Sequence, residues 1–241
     1  SIFVNPLQFS ENEDFNKYPR SLESDILKLE KEGIYVVFIP EISEMYPKQQ
    51  EFHVSTPENL NCILEGKYRP NYFKGVTTIV LKLFQCVEPK VAIFGKKDYQ
   101  QLLIIRRMCN QFFINTTIIA AETVRDKDGL ALSSRNSYLD RKNRKKAPFL
   151  YSCLKTASEN LSGLHHSRKL NYKTLLEVEE NTKQELQKKG WVIDYIKICN
   201  QDNLKVPSDF ELLNDINIVI LAAGWLGSTR LIDNLELMLN Y

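Results

Sequence analysis

Phe94-Gly95-Lys96-Lys97-Asp98-Tyr99-Gln100-Gln101 joins a predicted strand to a predicted helix. The apolar run at residues 91–94 is typical of a buried strand, and Asp98 is a typical first residue of a helix. Phosphate and carboxylate groups bind where a strand, a glycine and a helix N-terminus follow one another, because unpaired N–H groups and the helix dipole point at the anion. Lys96 and Lys97 add positive charge. The stretch therefore predicts an anion-binding turn.

A purely structural interpretation of this turn fits the local residues equally well. Asp98 is followed three residues later by Gln101, which is the spacing of an N-cap and its reciprocal capping partner. That spacing accounts for both residues without a ligand. The local sequence leaves the two interpretations open.

Composition and charge favour an ordinary globular protein. The chain has 241 residues, enough for one large domain or two ordinary ones, and 43% of them are hydrophobic and 26% charged. The net charge of +2 attracts neither nucleic acid nor membrane, and no apolar run approaches the roughly 18 residues of a membrane span. The basic run at residues 141–146 is best explained as a solvated helix start, with nucleic-acid binding as the alternative. We expect no nucleic-acid or membrane partner.

The cysteines indicate a reducing, cytoplasmic environment. They are odd in number and scattered, and none forms a Cys-x-x-Cys pair, which argues against a disulfide framework and against a zinc site. They are Cys62, Cys86, Cys109, Cys153 and Cys199. The histidines, His53 and the pair His165-His166, match no metal or nucleophile spacing: the first is predicted on an edge strand (residues 52–54) and the pair in a polar linker.

Strand and helix patterns alternate through the first half of the chain. Strands are predicted at residues 1–5, 34–39 (covered on both faces), 91–94 and 116–121. Helices are predicted after the Ser21 cap, at residues 73–87 with a buried stripe that ends at Val87, and at residues 98–110. This alternation predicts an α/β fold with a Rossmann-like, doubly wound parallel sheet.

Beyond Glu122 the pattern changes to long helices and a small sheet. One helix is predicted from the basic run through Leu161 and another at residues 172–189, with strands at 195–198 and 216–223 in a small mixed sheet. We therefore predict two domains, residues 1–122 and a smaller α+β domain at residues 123–241.

Candidate ligand-binding side chains follow the predicted strands or stand in polar loops, as expected for the carboxyl edge of an open α/β sheet. Each has a plain alternative: turn formation for Asn5 and Gln8, an ordinary surface position for a lone loop arginine, and chance for a serine pair. The candidates are Asn5, Gln8, Arg69, Lys97, Asp98, Gln101, Ser133, Ser134 and Arg135.

Three segments together closely resemble the pantothenate synthetases, the pantoate–β-alanine ligases. They are residues 1–9 (SIFVNPLQF), residues 95–101 (GKKDYQQ) and residues 128–136 (DGLALSSRN). Shorter similarities occur at residues 18–20, 69–75 and 230–234, in the family's order. Matches of nine residues are highly specific, whereas a lone serine pair is not.

The resemblance implies a two-step ligation. The carboxylate of pantoate attacks the α-phosphorus of ATP to form pantoyl adenylate and pyrophosphate, and the amine of β-alanine then displaces AMP. The resemblance also implies Mg²⁺, a nucleotidyl-transferase type of Rossmann-like domain with a smaller C-terminal lid, and a homodimer.

The same resemblance assigns residues to substrates. Gln8 would bind pantoate and β-alanine, and Gln101 would bind pantoate. Asn5 and Arg69, candidates from their positions in the sequence, are expected at the same two substrates. The ATP-contacting positions correspond to Gly95, Lys96, Lys97, Asp98, Val124, Leu132, Ser133, Ser134 and Arg135. We expect Lys97, Ser133, Ser134 and Arg135 to be the catalytic ones, and Lys97 rather than Lys96 occupies the motif's lysine position. No metal ligand is assigned.

Two departures from the family pattern qualify this expectation. The family begins with a strand and a His-x-Gly-His helix whose histidines contact ATP, and nothing in this sequence matches it. We expect that the sequence is a fragment, or a truncated gene product, that lacks one strand–helix unit. Asn71-Tyr72 stands where the family usually has Gly-His, and a tyrosine does not titrate near pH 7. Two other hypotheses remain: another nucleotidyltransferase of the same fold, and a catalytically inactive homologue retained for binding.

Overall fold

The computed structural model describes residues 1–11 and 13–240. The chain forms two compact units, one made of Ser1–Ala92 with Ile104–Ile118 and the other of Ile93–Leu103 with the chain from Ile119 onward. The helices are α1 (Leu22–Lys31), α2 (Ile42–Met45), α3 (Glu58–Asn61), α4 (Leu64–Tyr68), α5 (Tyr72–Val87), α6 (Tyr99–Gln111), α7 (Arg141–Lys146), α8 (Phe149–His166), α9 (Tyr172–Lys188) and α10 (Asp209–Leu212). The strands are β1 (Val91–Gly95), β2 (Thr117–Ala121), β3 (Trp191–Asn200), β4 (Ile216–Leu226) and β5 (Thr229–Leu239).

Helix α5 carries many of the buried residues of the first unit. Its predicted stripe is confirmed at Phe73, Val76 and Val80, which are buried, whereas Leu83 of the same stripe is only half-buried. Val87, predicted to belong to the stripe, is 51% exposed because it lies in the last turn of the helix. Near its start, a Cβ on Gly75 would lie 2.3 Å from the carbonyl oxygen of Leu7, so only glycine allows α5 to approach the 3₁₀ turn Pro6–Gln8 this closely.

Three strands predicted in the first unit are absent as strands. Residues 1–5 and 34–39 are linked by a backbone hydrogen bond from Ile2 N to Phe38 O (2.9 Å) but form no ladder. Tyr35 is 99% exposed and Val36 70%, so the prediction that residues 34–39 are covered on both faces is wrong. An apolar run has strand propensity, but a strand exists only where a neighbouring chain completes its hydrogen bonds.

The predicted edge strand at residues 52–54 has other hydrogen-bond partners. The N–H of Val54 donates to the hydroxyl of Thr78 (3.1 Å), and the hydroxyl of Thr77 donates to the carbonyl of Val54 (2.8 Å). Side chains of α5 thus replace a strand partner, and His53 lies in an irregular segment rather than on a strand.

Strands β1 and β2 form a parallel two-stranded sheet, and the chain between them contains α6. The strand predicted at residues 91–94 is confirmed, but Val91 is 49% and Ile93 68% exposed rather than buried. A 3₁₀ turn, Lys96–Asp98, separates β1 from α6, which begins at Tyr99, one residue after the predicted start. The α/β class with a parallel sheet is confirmed.

The second unit contains a three-stranded antiparallel sheet in the order β3–β4–β5. The strands predicted at residues 195–198 and 216–223 are confirmed as parts of β3 and β4, but the sheet is antiparallel rather than mixed. Strand β5 was not predicted, because Arg230, Asp233 and Asn234 interrupt its apolar alternation. Central β4 is nearly all buried, and its Ile220 pairs with Ile198 of β3 and Leu235 of β5. Helices α8 and α9 pack with this sheet around one apolar core.

The long helix predicted from residue 141 to Leu161 is two helices. Pro148 separates α7 from α8 because proline lacks the N–H that a continuous helix needs. His165, predicted in a linker, lies in the last turn of α8, fully buried, with its Nδ1 atom 3.2 Å from the carbonyl oxygen of Leu212. Among the described residues, no helix combines the length and apolar character needed to cross a membrane.

Candidate active site

Asn5 organises the turn that carries Gln8 in the first unit. Its side chain is buried, caps the 3₁₀ turn by accepting a hydrogen bond from Leu7 N (3.3 Å), and donates to the carbonyl of Gly75 (3.1 Å) and to Gln8 Oε1 (3.2 Å). The hydroxyl of Tyr46 donates to Asn5 Oδ1 (2.7 Å), and burial raises the pKa of Tyr46 to about 12, so this donor remains protonated. Asn5 therefore orients Gln8.

Arg69 also contacts this turn, but its charge is already paired. Its Nε and Nη2 atoms donate to the two carboxylate oxygens of Glu13 (2.8 and 2.7 Å), and Nη2 also donates to the carbonyl of Gln8 (3.3 Å). The guanidinium lies 3.7 Å from the ring centre of Tyr72. Burial lowers the pKa of Arg69, but the hydrogen bond and charge of Glu13 outweigh it and the pKa is raised. The planar guanidinium of an arginine can make these hydrogen bonds together, whereas the ammonium of a lysine cannot match their geometry.

In the second unit, the two lysines of the predicted anion-binding turn differ in their partners. Lys96 Nζ lies 2.5 Å from Glu122 Oε1 and 2.6 Å from Glu236 Oε2, and these hydrogen bonds raise its pKa. Lys97 is half-buried and makes no ion pair with any residue in the described part of the chain. In this turn the charge of Lys96 is therefore paired with carboxylates, whereas that of Lys97 is not.

The other residues of this stretch lie directly beside the turn. Asp98 is the last residue of the 3₁₀ turn, and Gly95 is its N-cap. Gln101 lies in the first turn of α6, half-buried. The purely structural interpretation placed Asp98 at the N-cap. In the structure Gly95 occupies the N-cap of the 3₁₀ turn, so the side chain of Asp98 is not at that position.

The second predicted nucleotide segment forms a hairpin that leads into a 3₁₀ turn. The two sides of the hairpin are joined by a bridge between Arg125 and Ala131 and by the hydrogen bond from Leu132 N to Val124 O (2.9 Å). Val124 and Leu132 are 67% and 49% exposed, unusual for apolar side chains and suitable for contact with a ring.

The serine pair follows the hairpin without a break. Ser133 caps the 3₁₀ turn Ser134–Tyr138, its Oγ accepting a hydrogen bond from Arg135 N (3.3 Å). The amide of Asn136 donates to the carbonyl of Ala131 (3.0 Å) and closes the loop. Ser133, Ser134 and Arg135 are therefore held at the start of one turn.

Arg125 ties this hairpin to β5. It donates to both carboxylate oxygens of Asp233 (2.6 and 2.8 Å) and to the carbonyl of Gly129 (3.1 Å). Its guanidinium also lies 3.5 Å from the ring centre of Tyr151. The guanidinium of Arg125 thus links the hairpin to strand β5 of the same unit.

The structure brings the predicted site residues together in two groups. In the first unit, Asn5, Gln8 and Arg69 share hydrogen bonds; in the second unit, residues 95–101 form one turn and residues 124–135 one hairpin and turn. Sequence reasoning gave no site role to the residues that hold these groups: Glu13, Tyr46, Tyr72, Gly75, Glu122, Arg125, Asp233, Asn234 and Glu236. Gly75, Asp233 and Asn234 belong to the segments that resemble the family, and Gly75 also carried a local signal, since a glycine inside a helix often marks a close approach.

No group of three or more histidine, cysteine, aspartate or glutamate side chains within residues 1–11 and 13–240 has the arrangement of a metal site. The carboxylates of Glu13, Glu122 and Glu236 are paired with Arg69 and Lys96. The amides, hydroxyls and cations of both groups are donors suited to carboxylate and phosphate oxygens.

Comparison with known proteins identifies the family. The family described as Pantoate-beta-alanine ligase matches residues 1–236. The chain belongs to this family. Pantothenate synthetase from Thermus thermophilus is 37% identical with a TM-score of 0.84, and the match covers 97% of this chain and 81% of that chain. Pantoate-beta-alanine ligase from Francisella tularensis, solved in complex with beta-gamma ATP and beta-alanine, is 33% identical with a TM-score of 0.75, covering 97% and 77% of the two chains.

Membership in the pantoate–β-alanine ligase family confirms the predicted family and reaction class, a ligase that forms a carbon–nitrogen bond. The similarity to solved structures also confirms the predicted fold, a nucleotidyl-transferase type of parallel sheet followed by a small α+β region.

Proposed function

We propose that this chain catalyses the condensation of pantoate with β-alanine at the expense of ATP, releasing AMP and pyrophosphate. The observation that carries the proposal is the family match over residues 1–236, within which both groups of candidate residues lie. The Francisella relative, crystallised with a nucleotide and beta-alanine, supports the choice of substrates.

The reaction proceeds in two balanced steps. A carboxylate oxygen of pantoate forms a bond to the α-phosphorus of ATP while the bond to the pyrophosphate oxygen breaks. The amine of β-alanine then attacks the acyl carbon of pantoyl adenylate, AMP leaves with the former carboxylate oxygen, and the amine loses a proton. Neither step needs a covalent bond to the protein, so positioning and electrostatic stabilisation supply the catalysis.

In this proposal the first unit binds the organic substrates. Gln8 offers an amide to the oxygens of pantoate and β-alanine, and Asn5 and Arg69 hold Gln8 through the hydrogen bonds described above. Arg69 acts on the substrate mainly through Gln8, because its fork is occupied by Glu13. Gln101 is proposed as a further pantoate contact.

The second unit, in this proposal, binds Mg·ATP. Gly95, Lys96, Lys97 and Asp98 form the phosphate turn, Val124 and Leu132 contact the nucleotide, and Ser133, Ser134 and Arg135 complete the site. Lys97, the two serines and Arg135 face the charge that develops on the phosphates during adenylyl transfer. Mg²⁺ enters with its nucleotide as part of the substrate, because this ion is usually held by one or two carboxylates and phosphate oxygens.

The proposal has three further points. The resemblance indicates that the enzyme works as a homodimer and that residues 123–241 act as a lid for residues 1–122, and the scattered cysteines indicate that it works in the cytoplasm. Sedimentation velocity of the full-length gene product measures the first point, and a monomer at micromolar concentration would contradict it.

The deciding experiment supplies pantoate, β-alanine and Mg·ATP to the full-length gene product and measures AMP and pantothenate. Stoichiometric formation of both is expected, with pantoate-dependent exchange of labelled pyrophosphate into ATP when β-alanine is omitted. Exchange that depends on a different acid would indicate another nucleotidyltransferase. Binding of pantoate without AMP release would indicate an inactive homologue.

A further inference from the structure

Strand β5 contacts the phosphate turn Lys96–Asp98 through side chains of the same unit. Asn234 and Glu236 are two residues apart and so project from the same face of the strand. The amide nitrogen of Asn234 donates to the carbonyl oxygens of Lys96 and Lys97, both at 2.9 Å, and Asn234 is only 6% exposed. One buried amide thus satisfies two successive carbonyls of the turn.

Glu236 holds the side chains of the same turn. One of its carboxylate oxygens lies 2.6 Å from Lys96 Nζ, and the other accepts a hydrogen bond from the hydroxyl of Tyr99 (2.9 Å). Lys96 also pairs with Glu122 at 2.5 Å, so one ammonium faces two carboxylates. An ammonium that is already outnumbered by carboxylates is a poor ligand for a polyphosphate.

We propose that Asn234 and Glu236 are positioning residues for the nucleotide-binding turn: Asn234 orients its backbone, and Glu236, with Glu122, withholds Lys96, so that Lys97 is the turn's phosphate-binding cation. This inference rests on the proposed function, which assigns the turn to ATP. It adds two residues of β5 to the proposed nucleotide-binding site, and the family resemblance gives a substrate-binding role to neither of them.

The geometry of the peptide unit explains how Asn234 acts at a distance from the ligand. The carbonyl of Lys96 and the N–H of Lys97 belong to one planar trans peptide and point in opposite directions. By binding that carbonyl, Asn234 turns the N–H of Lys97 away from itself. The N–H of Lys97 therefore points to the side of the turn opposite Asn234.

The test compares Mg·ATP binding by full-length wild-type protein, Asn234→Asp and a control, Asn217→Asp, using calorimetry. The carboxylate introduced by Asn234→Asp has no N–H and repels both carbonyls, whereas Asn217 is an exposed residue on neighbouring β4. We expect Asn234→Asp to weaken Mg·ATP binding about 10-fold or more, to raise KM for ATP without raising KM for pantoate, and to speed amide exchange at residues 97–99. Asn217→Asp should match wild type in all three measurements.

The division between the lysines has its own test. Removing Lys96 alone would leave two carboxylates unpaired, so the charge-balanced variant Lys96→Met/Glu236→Gln is compared with Lys97→Met. We expect Lys97→Met to weaken Mg·ATP binding by about 10-fold or more and the double variant by about threefold, with the salt dependence of binding lowered in Lys97→Met only. Equal losses in both variants would overturn the assignment of Lys97.

The remaining outcomes are also decisive. A folded Asn234→Asp protein with wild-type affinity for Mg·ATP overturns the positioning role while leaving the ligase function intact. If Asn234→Asp does not fold, Asn234→Ser, which keeps one donor, replaces it: intermediate affinity supports the role and wild-type affinity overturns it. A wild-type protein that binds Mg·ATP but forms no AMP contradicts only the ligase function, and one that binds no Mg·ATP overturns both.

Discussion

Lys96 and Lys97 are chemically identical neighbours with different surroundings. Lys96 is neutralised by Glu122 and Glu236, whereas Lys97 forms no ion pair among the residues whose structure is described. Charge at a phosphate site is useful only where a carboxylate does not already hold it, because paired charges offset each other. Function at this scale therefore depends on the partners of a residue rather than on its type.

Removal of the Lys97 charge should impair adenylation without unfolding the protein. For Lys97→Ala in the full-length gene product we expect the rate of pantoate-dependent pyrophosphate exchange to fall about 100-fold or more, as it does when one donor to a transition state is lost. The melting temperature should stay nearly constant, since a lysine without an ion pair adds little to stability. Lys90→Ala, at an exposed position before β1, is the matched control. Normal exchange by Lys97→Ala would discard its catalytic role.

Arg69 is expected to need its planar fork as well as its charge. In Arg69→Lys a single ammonium cannot reproduce the hydrogen bonds to Glu13 and to the carbonyl of Gln8, so we expect KM for pantoate to rise about 10-fold while KM for ATP stays unchanged. Steady-state kinetics with Arg141→Lys, an exposed position in α7, as control measures this effect. Unaltered pantoate kinetics would show that the fork does not position Gln8.

At the scale of elements, close backbone approach links α5 to the 3₁₀ turn that carries Gln8. Gly75 has no Cβ to separate them, and the carbonyl of Gly75 accepts a hydrogen bond from Asn5. Helix α5 thus supplies both the space and an acceptor for the turn that is proposed to bind substrate. This contact explains a glycine that lowers the intrinsic stability of its helix.

A methyl group at position 75 should displace this turn. We expect Gly75→Ala to lower the free energy of unfolding by about 1–3 kcal/mol and to raise KM for pantoate, because its Cβ would overlap the backbone of Leu7 and Gln8. Gly163→Ala in α8 is the contrasting control: no atom lies within 4 Å of the added Cβ, so a gain of about 0.5–1 kcal/mol is expected. Urea denaturation measures both, and equal stability of the two variants would contradict the close approach.

At the scale of the whole molecule, each unit has its own buried residues and its own group of candidate residues. In the second unit, α8 and α9 pack with the antiparallel sheet around a continuous apolar core. Buried cysteines occur in both units, while Cys62 and Cys86 are exposed. The accessibility of each thiol to a reagent therefore depends on the packing around its cysteine.

Thiol reactivity should therefore divide the cysteines into two classes. Burial raises the pKa of Cys153 to about 11 and that of Cys199 to about 12, and it raises the pKa of Cys109 as well. At pH 8 we expect iodoacetamide to modify Cys62 and Cys86 in the native protein and the other three only after denaturation, because a buried thiol is both protonated and inaccessible. Peptide mapping by mass spectrometry reads out each site, and rapid native labelling of Cys199 would contradict the packing of β3.

The sequence predicted what depends on local pattern. It predicted the family, the reaction class, the α/β fold and the helices α5, α6 and α9, because motif order and helical spacing are properties of neighbouring residues. The same local reasoning failed for residues 1–5 and 34–39, whose apolar character indicated strands that have no ladder. Strand formation depends on a partner elsewhere in the chain.

Only the tertiary structure decided which charges in the candidate site are available. Lys96 meets Glu236 across 140 positions of sequence, and Arg125 meets Asp233 across 108. No spacing rule reaches that far, since such contacts exist only after strands and helices have packed. Residues 94–101 by themselves predicted a strand, a turn with two lysines and a helix, and left open whether the turn binds an anion. Only the folded chain decided that Lys96 is paired, with Glu122 and with Glu236 of β5, because a cation's electrostatic attraction is set by the charges that folding brings within a few ångströms of it.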